Sequence, residues 1–415
     1  MYSLEFGMST RVITFGCRLN TFESSCIHPD NRDDTDVIVV NSCAVTNEAS
    51  RQVRQTIRRL RRENPSARLV LTGCGADIET DQYAQMPELN TVLLNGSKFD
   101  PDLPFEDGVV GERSTALRAQ DARVKIGPQT QARAHLEVQN GCDHSCTFCI
   151  IPTGRGASRS VPIHTVVSQA RTLFENGHNE VVLTGVDLTS YGSDMGGNTT
   201  LGTLVGTLLS ELPQLPRIRL SSLDAIEVDD RLFDLIIHED RIMPHLHLSL
   251  QSGDNMILKR MKRRHQREDA IALCQKLKSK RPQIALGADI IAGFPTETDD
   301  MFANSLKLID ECSLDFIHAF PFSPRKGTPA ERMPQVPRDI VRARAQELRN
   351  SSKRRALMFY QSLVGGAGNA LVEKTGEARL ENFGRVLFDG TAERGEIIRV
   401  AITSAAATHV KGTLI

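Results

Sequence analysis

Three cysteines within eight residues, Cys142-x3-Cys146-x2-Cys149, stand directly behind a strand-like run at Leu136–Gln139. Thiolates at that spacing must share one loop. Soft thiolate ligands suit iron–sulfur clusters, and three of them can hold three irons of a 4Fe-4S cube and leave the fourth iron open. A closed structural zinc wants a fourth ligand. The one candidate with ligand spacing is His144, which is expected to face outward from inside the loop. The chain must therefore fold so that a strand end and a tight loop wrap one bulky inorganic centre.

Three more cysteines end three strand-like runs near the amino terminus. RVITF (Arg11–Phe15) leads through Gly16 to Cys17, DVIVV (Asp36–Val40) through Asn41 and Ser42 to Cys43, and RLVLT (Arg68–Thr72) through Gly73 to Cys74. Continuous apolar runs suit strands buried on both faces of a parallel sheet. Between the last two, Ala49, Val53, Ile57 and Leu60 fall on one helical face, so Val37–Thr72 reads as a βαβ unit. The carboxyl ends of such strands share one edge, where ligands bind, so the three thiols are expected to converge. Glycines 16 and 73 would let the backbone approach a bulky centre. Three thiolates with an open position suit a reactive iron–sulfur cluster better than a closed zinc.

Some segments carry less. The stretch after Asn20, TFESSCIHPDNRDD, is too short and too rich in Pro, Asp and Asn for a full amphipathic helix, so the first βα unit is expected to be truncated. Nothing in Met1–Gly7 reads as structural, and Met8 could be the true start. Cys26, Cys274 and Cys312 have no strand-end placement and read as structural.

Beyond the second cysteine set, Glu180–Gly185, Arg217–Ser222, His245–Leu250, Ile284–Pro295 and Asp315–Phe320 read as strands separated by helical windows such as HTVVSQARTLFENG. That alternation is α/β architecture, with about six units rather than the eight of a closed TIM barrel. From Gly365, short strands alternate with Gly and polar turns, which suggests a small antiparallel barrel. The 50 basic and 51 acidic residues cancel to −1, so bulk charge gives no argument for nucleic-acid binding. No window approaches the ~18 apolar residues of a membrane span. Nine cysteines without a secretory signal point to a reducing, cytoplasmic setting.

The CxxxCxxC loop after a first barrel strand resembles that of the radical S-adenosylmethionine (SAM) superfamily. With TFGCRLN, VVNSCAVT and LTGCGAD it is similar to the methylthiotransferases; VQNGCDHSCTFCIIP resembles their cluster loop and PFSPRKGTPA their late-barrel segment. The resemblance implies an N-terminal parallel-sheet α/β domain (8–105), a linker (106–131), an open (β/α)6 radical SAM barrel (132–364) and a C-terminal all-β TRAM-like RNA-binding barrel (365–415). It implies two 4Fe-4S clusters, one on Cys142, Cys146 and Cys149 that binds SAM and an auxiliary one on Cys17, Cys43 and Cys74. It also implies that Thr184, Gly185, Ser221, Gln251, Ser252 and Gly293 contact SAM. No ordinary side chain deprotonates an unactivated aromatic C–H, so the cofactors must carry the step. A 5′-deoxyadenosyl radical would take hydrogen from adenosine C2, and the auxiliary cluster would supply the methylated sulfur.

The implied partners are a tRNA, an electron donor such as a flavodoxin or ferredoxin, and a sulfur donor that the residues do not specify. Three basic runs, Arg51–Arg62, Lys259–Arg267 and Arg342–Arg355, could form an RNA footprint. Aromatics at 5% with no Trp favour phosphate and shape contacts over base stacking. The RGxxRS pattern from Arg155 to Ser160 resembles the branch of the family that acts on N6-threonylcarbamoyladenosine at tRNA position 37. That substrate carries a carboxylate, which Arg155 and Arg159 could bind bidentately. Other readings are an isopentenyladenosine tRNA substrate, a ribosomal-protein aspartate, or a non-catalytic iron–sulfur protein that binds RNA.

Overall fold

The computed structural model describes residues 2–6, 10–27, 36–100, 106–113, 126–127 and 129–415. Its first layer is a six-stranded sheet in the order β1 (Tyr2–Phe6), β2 (Thr10–Thr14), β3 (Val37–Ser42), β4 (Arg68–Gly73), β5 (Thr91–Leu93) and β6 (Gly108–Val110). Strands β2 to β6 run parallel. Helix α1 (Arg18–Ser25) follows β2, α2 (Asn47–Glu63) follows β3, and the short α3 (Cys74–Ile78) and α4 (Thr80–Ala84) follow β4. Val53, Ile57 and Leu60 of α2 are buried against Ile38, Val40, Leu69 and Leu71, as the helical periodicity predicts. The hydroxyl of Thr46 caps α2 by accepting from the Ala49 amide at 3.1 Å.

Two expectations about this layer are corrected. Tyr2–Phe6 is not structureless: it pairs antiparallel with β2, covering an edge that would otherwise expose unpaired backbone groups. The stretch expected to be linker contains β6, which pairs with β5 and extends the sheet; residues 114–125 of that stretch, and Met8, lie outside the described residues. Helix α1 has only two turns, in keeping with a shortened first unit. The rest of its polar stretch, residues 28–34, also lies outside the described residues.

The second layer holds two parallel sheets. One has the order β11 (Arg217–Leu220), β10 (Glu180–Thr184), β7 (Ala134–Glu137); the other has the order β12 (Ser222–Leu223), β13 (His245–Gln251), β14 (Ala285–Ala292), β15 (Phe316–Pro321). β11 and β12 are one strand interrupted at Ser221. Between β7 and α6 (Ile163–Glu175) the chain makes the cysteine loop, which carries α5 (Ile151–Arg155). A two-residue antiparallel pair, β8 (Gln139–Asn140) with β9 (Arg159–Ser160), staples the loop at its base. Helices α7 (Leu201–Glu211), α8 (Asp230–His238), α9 (Asn255–Met261), α10 (Arg267–Lys280), α11 (Asp299–Glu311) and α12 (Arg338–Ser362) complete the layer. Leu136, Leu183, Leu220, Leu248 and Ile290 are buried in one core with α6, α7 and α8. The alternate strand positions turn polar residues the other way: Glu180, Arg217, Arg219, His245, His247 and Asp289. No described helix is long and apolar enough to cross a membrane.

The tail forms a closed barrel, β16 (Ala367–Lys374), β17 (Glu377–Leu380), β18 (Arg385–Asp389), β20 (Val410–Leu414) and β19 (Ile397–Ala405) in spatial order. It is not wholly antiparallel as expected. β19 closes against β16, so β20 returns between β19 and β18 and runs parallel to β18. Phe383 leaves this barrel and stacks on His245 at the base of the parallel sheets, ring centroids 4.6 Å apart. The guanidinium groups of Arg133, Arg219 and Arg379 lie within 5.2 Å of its ring.

Candidate functional site

Cys17, Cys43 and Cys74 lie just past the carboxyl ends of β2, β3 and β4, three adjacent parallel strands. Cys17 occupies the N-cap position of α1 with no side-chain cap bond, and Cys74 opens α3. Burial pushes the Cys43 thiol up to about 12, and Cys74 and Cys17 are near enough to push in the same direction. Burial likewise raises Cys74. Gly16 has φ +95°, and a Cβ there would lie 2.8 Å from Cys43 Sγ, so only a glycine lets the backbone pass this close to the Cys43 side chain. The Asn20 side chain ties the trio's framework together: its Nδ2 donates to the Phe15 carbonyl at 2.8 Å and to the Ser42 carbonyl at 3.0 Å. Asn41 Nδ2 returns a bond to the Asn20 carbonyl at 3.0 Å.

The second trio stands on the stapled loop after β7. Burial pushes Cys142 up to about 12 and Cys149 up to about 11; α5, two residues beyond Cys149, packs on α3, which Cys74 opens, so the two cysteine sets lie side by side. Cys43 and Cys74 are buried, Cys142, Cys146 and Cys149 half-buried and Cys17 exposed; thiols such as these become thiolates when a metal supplies the balancing charge. Both sets thus have the donor chemistry for iron–sulfur clusters. His144 does not face outward. Its Nε2 lies 2.7 Å from Asp187 Oδ2, because Asp187 sits just beyond β10 and pulls the ring inward. Cys142, His144 and Asp187 bring ligand-type atoms within 4.8 Å of one another. A cavity of about 450 Å³ opens beside them, with Asp143, Glu227 and Arg264 on its wall. Arg263, from the second basic run, places Nη1 3.7 Å from Cys146 Sγ while Nη2 donates to Asp224 at 2.7 Å and to the Ser249 carbonyl at 2.8 Å.

The two arginines expected to bind a carboxylate part company. Arg155 is buried, and all five of its N–H groups have acceptors within the protein. Nε donates to Cys74 Sγ at 3.1 Å, Nη1 to Glu23 Oε1 at 2.8 Å and Asn140 Oδ1 at 3.0 Å, and Nη2 to Asn20 Oδ1 at 2.6 Å and Glu23 Oε2 at 3.0 Å. Nothing is left for a substrate, so that expectation is corrected: Arg155 joins the loop to the N-terminal sheet. Lys98 also reaches Glu23, at 2.6 Å. Burial alone would raise the Glu23 carboxyl, yet Arg155 and Lys98 hold it at about 2. Nearby, burial and then Glu23 push the Glu137 carboxyl well above the usual range. Arg159 differs: Nη2 donates to the Arg155 carbonyl at 2.7 Å, while Nε and Nη1 are buried without a partner among the described residues.

The residues expected at SAM stand at strand carboxyl ends in different states. Ser221 Oγ, at the break between β11 and β12, is buried with no partner among the described residues. Gln251 ends β13 at φ +67°. Thr184 spends its hydroxyl on the Val182 carbonyl, 3.2 Å away. Gly185 lies against Gln139, whose Oε1 would be 2.9 Å from an added Cβ. Ser252 Oγ meets Ser305 Oγ at 3.4 Å. Gly293 is hemmed in by Val341 of α12, 2.5 Å from an added Cβ, which gives it a packing role.

The basic runs are less bare than the sequence suggests. Arg51, Arg54, Arg58 and Arg59 pair with Glu48, Glu79, Glu88 and Glu63. Arg263, Arg264 and Arg267 pair with Asp224, Glu227 and Glu311, and Arg344 pairs with Glu297 and Asp299. Most partners come from distant elements, which is why local composition showed no acidic balance. Residues missed from the sequence are Asn20, Glu23 and Lys98; of these only Asn20, inside TFGCRLN, carried a signal. The segment PFSPRKGTPA docks on the start of α2 and on Glu79 between α3 and α4. Arg325 donates to Asn47 Oδ1 and Glu79 Oε1, both at 2.7 Å.

Two sequence families match. The Radical SAM superfamily covers residues 136–309, and the uncharacterized protein family UPF0004 covers residues 9–95. A threonylcarbamoyladenosine tRNA methylthiotransferase MtaB of Rickettsia prowazekii is 43% identical over 97% of each chain. Its namesake in Aquifex aeolicus is 35% identical over 94% of this chain and 98% of its own. A tRNA-2-methylthio-N(6)-dimethylallyladenosine synthase of Erythrobacter litoralis is 31% identical over 98% of this chain and 97% of its own.

Proposed function

This chain belongs to the radical SAM tRNA methylthiotransferases, and from that premise we propose that it converts N6-threonylcarbamoyladenosine at tRNA position 37 to its 2-methylthio form in the cytoplasm. The observation that carries the reading is the adjacency of two three-cysteine sets, one on the sheet edge and one on the stapled loop, joined where Arg155 Nε donates to Cys74 Sγ at 3.1 Å and Gly154 packs on Ile78. Cys142, Cys146 and Cys149 would hold the cluster that binds SAM, and Cys17, Cys43 and Cys74 the auxiliary cluster. When bound, these groups and SAM supply the hydrogen-abstracting radical and the sulfur that acid–base side chains cannot provide.

The chain's own residues bind and orient. Ser221 and Gln251, one whose hydroxyl has no partner among the described residues and one at a strained strand end, are the stronger SAM contacts of the six; Thr184, Gly185, Ser252 and Gly293 shape the backbone around them. Arg159 is the arginine left for the carboxylate of the threonylcarbamoyl group, because its buried Nε and Nη1 donors have no partner among the described residues. The two parallel sheets of the second layer form the open six-unit barrel, and the closed C-terminal barrel is a TRAM-type module that adds phosphate contacts. A flavodoxin or ferredoxin class donor supplies the electrons.

Cysteine replacement tests the reading. Anaerobically reconstituted protein should carry about eight irons by this ligand logic. Changing Cys142, Cys146 and Cys149 to Ala should halve the iron and abolish reductive SAM cleavage. The Cys17, Cys43 and Cys74 triple variant should also lose half the iron, yet keep SAM cleavage and lose sulfur insertion. Complete loss of iron from either triple variant would refute the two-site arrangement.

A further inference from the structure

Arg155 stands six residues beyond Cys149, at the end of the helix that begins on the loop of the barrel's own cysteines, yet its side chain points into the other cysteine set. That direction is built in. Gly154, just before it, has no side chain because the Ile78 side chain of α3 lies 2.8 Å from where its Cβ would stand, so α5 and α3 pack in direct contact. Asn95 Nδ2 donates to the Gly154 carbonyl at 3.1 Å and fixes the same spot from the N-terminal sheet. A guanidinium between these layers needs acceptors, and Glu23, Asn20 and Asn140 satisfy both Nη groups. The remaining Nε–H is aimed at a sulfur, Cys74 Sγ, at 3.1 Å.

A buried, permanently charged donor on a cluster ligand has a defined electrostatic consequence. The reduced cluster carries one more negative charge than the oxidised one, so an N–H cation at a ligand sulfur stabilises the reduced form more. Hydrogen bonds to sulfur and solvent exclusion are the protein's levers on such potentials. Lys98 and Glu23 matter here for a different reason. Because Glu23 keeps Lys98 at 2.6 Å, removing Arg155 does not leave a lone buried carboxylate, and the contact can be tested in folded protein.

We propose that Arg155 is a positioning residue of the auxiliary site: reaching across from the barrel's cysteine loop, it fixes Cys74 and raises the reduction potential of the cluster held by Cys17, Cys43 and Cys74. The inference rests on the two-cluster reading. It makes Arg155 a link between the two cysteine sets rather than a substrate contact.

The test uses full-length protein in which Cys142, Cys146 and Cys149 are Ala, so that the auxiliary cluster alone is present. It needs neither tRNA nor SAM. Midpoint potentials are read by redox titration followed by electron paramagnetic resonance, for the parent, Arg155→Met and Arg155→Lys. The expected result is about four irons in each, a midpoint clearly more negative in Arg155→Met, and a smaller shift in Arg155→Lys, which keeps charge but not the fork. Loss of iron from Arg155→Met that Arg155→Lys restores, with circular dichroism unchanged, would support the same role through ligand positioning. Full iron with an unchanged midpoint in both variants would overturn the inference and leave the two-cluster reading standing. Absence of iron from the parent itself would overturn both.

Discussion

Glu180 shows how much of this molecule rests on buried charge. It is fully buried between Arg219, 2.6 Å away, Arg217 at 3.5 Å and Arg133 at 3.8 Å. Burial by itself would raise the carboxyl, but Arg219 and its neighbours hold it at about 2, against an ordinary 4.5. An acid with a depressed folded pKa contributes stability that is complete above its unfolded value and lost as pH falls through the folded one. Glu180→Gln should therefore lower the unfolding free energy by about 3 kcal/mol at pH 7, because it leaves buried arginines uncompensated. The deficit should shrink as pH falls from 4.5 toward 2, as read by denaturant unfolding across that range. A deficit that persists unchanged to pH 2 would contradict the charge account. At this scale the cysteines were legible in the sequence, since their spacing and strand-end positions are local facts. Arg155 was legible only as an arginine near the site: its partners Glu23, Asn20 and Cys74 lie more than eighty residues away, and nothing in its own neighbourhood announces them.

Element by element, the strand–cysteine pattern held because continuous apolar runs and the glycines after them are strong local signals. Gly16 tests it. Substitution by Ala forces a side chain into positive φ and against Cys43, so it should cost about 1–3 kcal/mol of local strain. Gly16→Ala should lose about half its iron after reconstitution while reductive SAM cleavage survives; retention of all the iron would contradict the tight packing around Cys17 and Cys43. The edge strands Tyr2–Phe6 and Gly108–Val110 were not legible. They are three to five residues long and gain their strand character from a neighbour's open edge rather than from their own composition. The basic runs misled for a related reason. A helix can be locally all positive and still be neutralised by Glu79, Glu88, Asp224 or Glu297 from elsewhere. Lys262, Arg342 and Lys353 keep no acidic partner among the described residues, and they are the better candidates for phosphate contact.

For the whole molecule, the layers interlock. α1 buries Phe22 in the core of the second layer, Arg325 returns to Asn47 and Glu79, and Phe383 plugs the base of the parallel sheets. The C-terminal barrel is therefore a structural part of the enzyme as well as the proposed RNA module. Phe383 is half-buried, so Phe383→Ala should destabilise the protein by about 1–2 kcal/mol, seen as a lowered Tm, with reductive SAM cleavage retained at 25 °C; an unchanged Tm would make the plug incidental. Substrate choice remains the central claim, and one measurement bears on it directly. Purified, reconstituted protein is given equal amounts of tRNA carrying N6-threonylcarbamoyladenosine and tRNA carrying isopentenyladenosine, with SAM and a reductant, and the nucleosides are then analysed by mass spectrometry. The account predicts the 2-methylthio product of the threonylcarbamoyl nucleoside alone; equal conversion of both, or conversion only of the isopentenyl form, would contradict it.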